Sequence, residues 1–563
     1  MQGLMQNRPL TLSGLLTGME RQYADSRVIT SYHDGHVEIT YAETLEHVHA
    51  LATALDSLGI EKGARVATFA WNTQRHLELY LAVPCSGRIL HTINHRLFAE
   101  QIDFIVADAE NEIVFVDRSI VPTVWPVLKK HAALRHIVLM DDGTTDPVPD
   151  DPRILDYDEL IASATGSLYD FSITDERTAS GLCYTSGTTG LPKGVLYDHR
   201  STVLHALMLQ VADGYAIRRS DVVFPIVPMF HVNAWGFPYA SIMCGSTLSL
   251  PGPVTASDRL AEQMERDRIT LGAAVTTVWT TVAPHLDGKD LSSVRNLICG
   301  GGKVPSSLAR HYRSTVGVHL SSGWGMTETS PAATYIAQVE PFGDNGLERL
   351  TRPGPSLPLV DLRIVDPSGS AVELPWDGKT AGELQVAGPT VAGRYFNRDA
   401  DVGFTSDGWL RTGDLAVIEP GGAPTIVDRV KDLIKSGGEW ISSADLENML
   451  ADHPSVAEVA VIGWEDDRWG ERPVACVVLV PGAALEVADM QSFLVGKVAK
   501  WWIPDDVVVV DLLPKTATGK ISKVRLRESL IARDETTPRP CSEGPRSRMT
   551  TNADTRLEQG SNS

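Results

Sequence analysis

Several things are scarce in this chain of 563 residues. Its six cysteines, Cys85, Cys183, Cys244, Cys299, Cys476 and Cys541, are scattered, with no C-x-x-C pair. Disulfide scaffolds and zinc sites need clustered spacing, so the thiols read as mostly buried groups in a reducing compartment. Basic charge is also short: 50 Lys and Arg stand against 71 Asp and Glu, a formal net charge of -21. That balance argues against a nucleic-acid partner, because neutralising phosphates needs a basic face. Small anionic ligands stay open, since a few cations focused in a cleft can hold them. No apolar run approaches the roughly 20 residues that cross a bilayer, so no transmembrane segment is expected. Met1–Gly18 lacks a basic stretch followed by a sustained apolar run, which leaves the cytoplasm as the expected location. No internal repeat is present.

The length alone implies about three or four units of ~150 residues. From Ile39 onward strand and helix patterns alternate. Leu45, Val48, Leu51, Ala52 and Leu55 recur at helical spacing before Gly59, and Arg65–Ala70 reads as a short buried strand. This alternation predicts an α/β layer architecture with covered sheets. Gly181–Thr185, Asn296–Cys299 and His319–Ser322 read as strands that each run into glycine-rich loops, which points to ligand binding at a carboxyl sheet edge. Near Asp428–Asp432 the pattern changes to that of a small α+β domain of about 100 residues. Beyond Arg533 large apolar residues almost vanish, and a disordered tail is expected.

The run Tyr184-Thr185-Ser186-Gly187-Thr188-Thr189-Gly190-Leu191-Pro192-Lys193-Gly194-Val195 is the densest chemical signal. Its glycines free backbone N–H groups to converge as an anion nest. Ser186, Thr188 and Thr189 add hydroxyl donors, and Lys193 adds a point charge. It is not a Walker A loop, because Pro192 precedes the lysine where that motif has glycine. Gly323–Thr327 is not a dinucleotide fingerprint either, since Glu328 occupies the third glycine position.

This loop resembles the phosphate loop of the adenylate-forming superfamily of acyl-CoA synthetases, luciferases and peptide-synthetase adenylation domains. The resemblance spans roughly Leu12 to Ala532, with further motifs in order: Pro228-Met229-Phe230-His231, Gly300-Gly301-Gly302, Gly323-Trp324-Gly325-Met326-Thr327-Glu328, Arg411-Thr412-Gly413-Asp414, Asp428-Arg429-Val430-Lys431-Asp432 and Pro514–Lys520. It implies a large N-terminal AMP- and acyl-binding domain over 1–429, with layered α/β sheets and a β-barrel-like part. A small mobile α+β domain over 430–533 would follow, and then a disordered tail over 534–563.

By the same resemblance Thr185, Ser186, Gly187, Thr188, Thr189, Gly190, Lys193, Gly300, Gly301, Gly302, Gly323, Trp324, Gly325, Met326, Thr327, Asp414 and Arg429 bind ATP and AMP. Trp324, where Tyr is usual, would stack on adenine; Thr327 would donate to the α-phosphate; Asp414 and Arg429 would take the ribose hydroxyls. Glu328 and Thr188 would hold Mg²⁺, which favours hard oxygen ligands beside phosphate. Lys520 would be the adenylation lysine, a cation bridging two anions as carboxylate meets α-phosphate. Lys431 matches the hinge. Beyond it Ser436, Gly437, Gly438, Glu439 and Trp440 would line the path of coenzyme A. Ser442-Ser443-Ala444-Asp445 reads as a capping box that opens a helix with Leu446, Met449 and Leu450 inward.

His231-Val232-Asn233-Ala234-Trp235-Gly236, Gly437–Ser443 and Ala499-Lys500-Trp501-Trp502 resemble the medium- and long-chain fatty acyl-CoA synthetases and the methylmercaptopropionate-CoA ligases. In that branch an indole matching Trp235 gates the acyl tunnel, and His231 closes the acyl side. A homodimer is implied as well. Two positions depart from the branch: Lys303 stands where a small residue is usual, and Thr276 where Pro is usual. A buried unpaired ammonium is costly, so Lys303 must face solvent, an acid or a polar ligand.

The expected activity is ATP-dependent acyl-CoA synthesis: a carboxylic acid and ATP give acyl-AMP and pyrophosphate, then coenzyme A gives acyl-CoA and AMP. The acid would be a medium- or long-chain fatty acid or a relative. The alternatives are a short thioether or aryl acid such as a cinnamate, an acyl-AMP ligase that loads a carrier protein, and a luciferase-like oxidative or degenerate binding protein.

Overall fold

The computed structural model describes residues 1, 3–185, 191–302, 304–337, 349, 351–367, 372–399, 402–437, 439–515 and 521–536. Of the expected site residues, Ser186, Gly187, Thr188, Thr189, Gly190, Lys303, Gly438 and Lys520 lie outside these, as does the side chain of Glu439. The chain divides into two compact units between Val427 and Asp428.

The first unit carries two large sheets. One has seven strands in the order Ile154–Asp156, His136–Met140, Ile113–Asp117, Arg65–Phe69, Ile89–Thr92, Ala179–Tyr184, Gly194–Asp198. All neighbours are parallel except the last pair. Its inner strand Ile-Val-Phe-Val-Asp at 113–117 is buried throughout, as a parallel strand covered on both faces must be. The covering helix Tyr41–Ser57 is started by a capping box, in which Thr40 Oγ1 accepts from Glu43 N and Glu43 Oε2 accepts from Thr40 N. Leu45, Val48, Leu51 and Leu55 form its inward face, each contributing about 1.5–3 kcal/mol by leaving water.

The second sheet has eight strands in the order Ala332–Tyr335, Leu320–Gly325, Asn296–Gly300, Leu271–Val275, Val222–Pro225, Thr247–Leu250, Arg27–Tyr32, Gly35–Thr40. It is parallel inside and antiparallel at both ends. The strands read as ending in glycine loops are thus shared between two sheets rather than set along one edge. A third sheet holds Asp361–Val365, Gly382–Ala387, Leu410–Ile418 and Pro424–Arg429. Among the described residues no sheet closes on itself, so the expected barrel-like part is an open four-stranded sheet.

The second unit is built on a five-stranded sheet of Glu439–Ile441, Ile434–Ser436, Gly470–Leu479, Val456–Asp466 and Asp506–Val509. Helices Ser443–Ala451 and Val487–Leu494 bury Leu446, Leu450, Met490 and Leu494 with this sheet's apolar residues. The second helix stops at Leu494, just before Gly496, which takes a positive φ of 79°. The last helix, Lys523–Thr536, runs past Arg533; residues 537–563 lie outside the described chain.

Candidate functional site

Strands Ala179–Tyr184 and Gly194–Asp198 pair antiparallel, with Tyr184 opposite Gly194. Thr185 N donates to Lys193 O at 2.9 Å. Gly194 is packed on three sides: a Cβ there would lie 3.1 Å from both Phe396 Cβ and the Tyr184 ring, and 3.2 Å from Leu182. Phe396 N donates to Gly194 O at 2.8 Å, pinning the segment after Gly393 to the base of the loop. On the other flank the Tyr184 hydroxyl donates to Asp108 Oδ2 at 2.6 Å, and Arg398 pairs with the same carboxylate.

Lys193 leads directly to Glu328. Its ammonium lies 4.8 Å from the centre of the Tyr395 ring, and the Tyr395 hydroxyl donates to Glu328 Oε1 at 2.6 Å. Burial and the neighbouring Glu328 charge hold the Tyr395 phenol well above its ordinary pKa, so it stays a donor. Glu328 is buried, and its backbone is fixed from both sides: Ala392 N donates to Glu328 O at 2.7 Å, and the Tyr197 hydroxyl donates to Thr327 O at 2.7 Å. Tyr197 and Tyr395 were not singled out in the sequence. The signal for Tyr395 was the aromatic pair Tyr395-Phe396 set between Gly393 and Asn397, the latter with a positive φ of 52°.

The strand Leu320–Gly325 delivers Gly323, Trp324 and Gly325, followed by Met326 and a tight turn over Thr327–Thr329. A Cβ on Gly325 would fall 1.8 Å from Pro331 O, so no other residue fits there. The Trp324 indole N–H donates to Asp414 Oδ2 at 3.0 Å. A tryptophan therefore still reaches the acid assigned to the ribose, through nitrogen instead of a phenol oxygen. Asp414 is buried, and its backbone N–H donates to Thr412 Oγ1. On the adjacent strand Gly300 ends the pairing, and Gly301 turns at φ 76° toward Gly302.

Two of the residues expected on the acyl side, Trp235 and Thr276, lie at that strand end. His231 N donates to Pro228 O, and the next five residues, Val232 to Gly236, all have positive φ, from 47° to 77°. A left-handed turn of this kind costs about 1–2 kcal/mol for each non-glycine residue. It projects the half-buried Trp235 against the backbone of Gly300, where a Cβ would lie 2.8 Å from the indole. Asn233 anchors the turn, with Cys183 Sγ 3.6 Å and the Tyr80 hydroxyl 3.4 Å from its Oδ1. Thr276 Oγ1 lies 3.3 Å from Cys299 Sγ and 3.5 Å from Gly302 O, so its hydroxyl is spent on the strand end.

The remaining residues belong to the second unit. Arg429 ends the strand Pro424–Arg429, and Lys431 lies in the turn that follows. Ser436 Oγ accepts from Arg472, and Gly437 N donates to Trp469 O at 2.7 Å. Gly437 has φ 62° and lies under the Trp469 ring, 2.8 Å from where a Cβ would be. Trp440 is exposed, with the Lys435 ammonium 5.5 Å from its ring centre.

The family model for AMP-binding enzymes matches residues 19–396, and that for the AMP-binding enzyme C-terminal domain matches residues 445–520. The chain is 40% identical over 536 residues to a 3-methylmercaptopropionyl-CoA ligase of Ruegeria lacuscaerulensis, covering 94% of this chain and 98% of the relative. It is 38% identical to a medium-chain-fatty-acid–CoA ligase of Ectopseudomonas oleovorans, covering 94% and 97%. Among solved structures it is similar to ATP-bound MatB from Rhodopseudomonas palustris, with a TM-score of 0.79, 27% identity, and coverage of 92% and 99%.

Proposed function

The chain belongs to the AMP-binding enzyme family and is an AMP-forming acid–thiol ligase, and from that premise we propose that its acid is an unbranched aliphatic or thioether carboxylate of short to medium length. In the first half-reaction a carboxylate oxygen bonds to the α-phosphorus of ATP and pyrophosphate leaves. In the second the sulfur of coenzyme A bonds to the acyl carbon, AMP leaves, and the thiol proton is released.

The row Lys193, Tyr395, Glu328 is the observation that carries the first step. It sets one cation and one buried carboxylate along a phenol, at the base of a loop rich in glycine and hydroxyl side chains. In this reading Thr185–Gly190 and Lys193 hold the phosphates, and Thr327 donates to the α-phosphate. Gly300–Gly302, Trp324 and Asp414 take the nucleoside, with Arg429 as a further ribose ligand. Glu328 is a hard oxygen donor of the type that suits Mg²⁺, and with Thr188 it would hold that ion, which neutralises phosphate charge when bound. Lys520 lowers the repulsion between the two anions as the adenylate forms. Lys431 is the hinge, and Ser436–Trp440 line the path of coenzyme A. The five described cysteines are all free, which supports a reducing compartment such as the cytoplasm. Among the described residues no helix is long and apolar enough to cross a membrane.

For the acid, the support is Trp235 lying on Gly300. An indole in that place leaves room for a slim chain and narrows the site against a ring, and the relatives named for 3-methylmercaptopropionate and medium-chain fatty acids are both of the slim kind. The test is AMP release across straight-chain, thioether and aryl acids, with and without coenzyme A. Activity should centre on slim acids, and Trp235→Ala should extend it to longer ones. Preference for aryl acids would overturn the assignment of the acid, and adenylate that coenzyme A never consumes would overturn that of the thiol acceptor.

A further inference from the structure

The residues on either side of 516–520, the segment that contains Lys520, are tied to each other. Lys515 and Ile521 form an antiparallel bridge, and Ser522 N donates to Pro514 O at 2.8 Å. Lys515 Nζ pairs at 2.9 Å with Glu458, on the strand Val456–Asp466. Directly after the loop, helix Lys523–Thr536 begins with a lysine. A cation at a helix N-terminus opposes the helix dipole, so the helix itself gives no reason for Lys523 to be there.

Tertiary partners supply one. Lys523 Nζ lies 2.6 Å from Ser443 Oγ and 2.8 Å from Glu447 Oε1, with only 12% of the lysine side chain exposed. Ser443 Oγ gives its one proton to Asp428 Oδ2 at 2.8 Å, leaving its lone pairs for the ammonium. The same carboxylate oxygen accepts from Ser443 N at 2.6 Å and Ala444 N at 3.3 Å, capping the helix Ser443–Ala451. One turn along the last helix, Arg527 approaches Asp432 at 4.0 Å. Two cations four residues apart thus address the two acids, Asp428 and Asp432, that flank Lys431. Leu526 and Leu530 on this helix are buried among Ile462, Val474 and Leu513, so the helix is a fixed post.

We propose that Lys523 is the positioning residue for the Lys520 loop, acting through Ser443, Asp428 and Glu447. Lys520 has a long, flexible side chain, and where its ammonium can reach depends on where the loop starts and stops. Lys523 lies three residues from it and fixes the trailing end to the helix Ser443–Ala451, whose Ser443 in turn bonds Asp428. Lys523 itself touches no substrate. The inference rests on the reading of Lys520 as the adenylation lysine.

The half-reactions separate these roles. Adenylation is followed by acid-dependent pyrophosphate release without coenzyme A, and thioester formation from supplied acyl-AMP with coenzyme A. Lys523→Met should lower the adenylation kcat by roughly 10–100-fold, as misplacement of a reacting group does. KM for ATP and acid should stay within about twofold, and thioester formation should be unchanged. Lys523→Arg, which can still reach Ser443 and Glu447, should recover most of the loss. Glu447→Gln, nearly isosteric, should reproduce part of it and guards against a folding defect in the first variant. Equal loss of both half-reactions, or no loss of adenylation, in Lys523→Met and Glu447→Gln would overturn the proposal. Lys520→Ala is the reference: if it keeps full adenylation, the reading of Lys520 fails and the proposal falls with it. If Lys520→Ala loses adenylation alone while Lys523→Met does not, only the positioning role fails.

Discussion

Tyr395 joins two groups that the sequence presents 135 residues apart, since Lys193 lies against its ring and Glu328 accepts from its hydroxyl. Its phenol holds one oxygen of Glu328 and so fixes the orientation of that carboxylate. A hydrogen bond to a charged group is worth about 1.5–3 kcal/mol. Tyr395→Phe keeps the ring beneath Lys193 but removes one hydrogen-bond donor from a buried carboxylate. Adenylation kcat/KM should therefore fall by about 10-fold, and the Mg²⁺ concentration for half-maximal rate should rise. A magnesium titration of pyrophosphate release checks this, and an unchanged Mg²⁺ requirement would separate Tyr395 from the proposed metal role of Glu328. The motif residues were legible because glycine, lysine and carboxylate announce their chemistry at fixed spacing. Tyr395 was not, because a tyrosine in an irregular segment carries no periodicity and gains meaning only from the partners that folding brings to it.

Elements with a strong period were read closely from sequence, and elements that defy local preference were not. The helix over 41–57, the buried strand at 65–69 and the helix opened by Ser442 all follow from apolar spacing and capping residues. The turn Val232–Gly236 could not be read. Only asparagine and glycine tolerate left-handed backbone readily, and Val232, Ala234 and Trp235 would each be expected elsewhere. Tertiary contacts hold the turn, and Asn233 supplies both its backbone tolerance and its anchor to Cys183 and Tyr80. Asn233→Ala removes both, and should lower stability by about 1–2 kcal/mol. It should also loosen Trp235 from Gly300, broadening the range of acid lengths while the best short acid keeps most of its rate. Thermal unfolding together with the acid panel measures the two effects. A loss of stability with an unaltered length profile would mean that the turn does not set the position of Trp235.

At the scale of the whole molecule, buried titratable groups are divided unevenly between the two units. His76, His91, His95, His199 and His205 all lie in the first, and burial lowers each from the ordinary 6.5 to about 4, 3, 4, 4 and 3 respectively. A base with a depressed pKa in the folded state is neutral there while the unfolded chain takes up a proton. Its contribution to stability is therefore complete above about pH 6.5 and is lost as pH falls toward the folded value. Each such histidine removes up to about 1.4 kcal/mol per pH unit across that window. Asp117, raised by burial, works in the opposite sense, since protonation suits its folded state. His47, raised by its bond to Glu78, works in that sense as well, so two groups stand against these five imidazoles. In the second unit Glu447 is raised, chiefly by burial, and so gains from acid rather than loses. Acidification from pH 7 to 4.5 should thus weaken the first unit well before the second. Hydrogen exchange at the two pH values, corrected for intrinsic rates, reads this peptide by peptide in the intact chain. Protection should fall in the sheet strands 65–69, 89–92 and 113–117 while strands 456–466 and 470–479 keep theirs. Combined His91→Asn and His205→Asn substitution should shrink the difference, because asparagine fills the same polar places without titrating, and loss of protection first in 456–479 would contradict the assignment of the acid-sensitive groups.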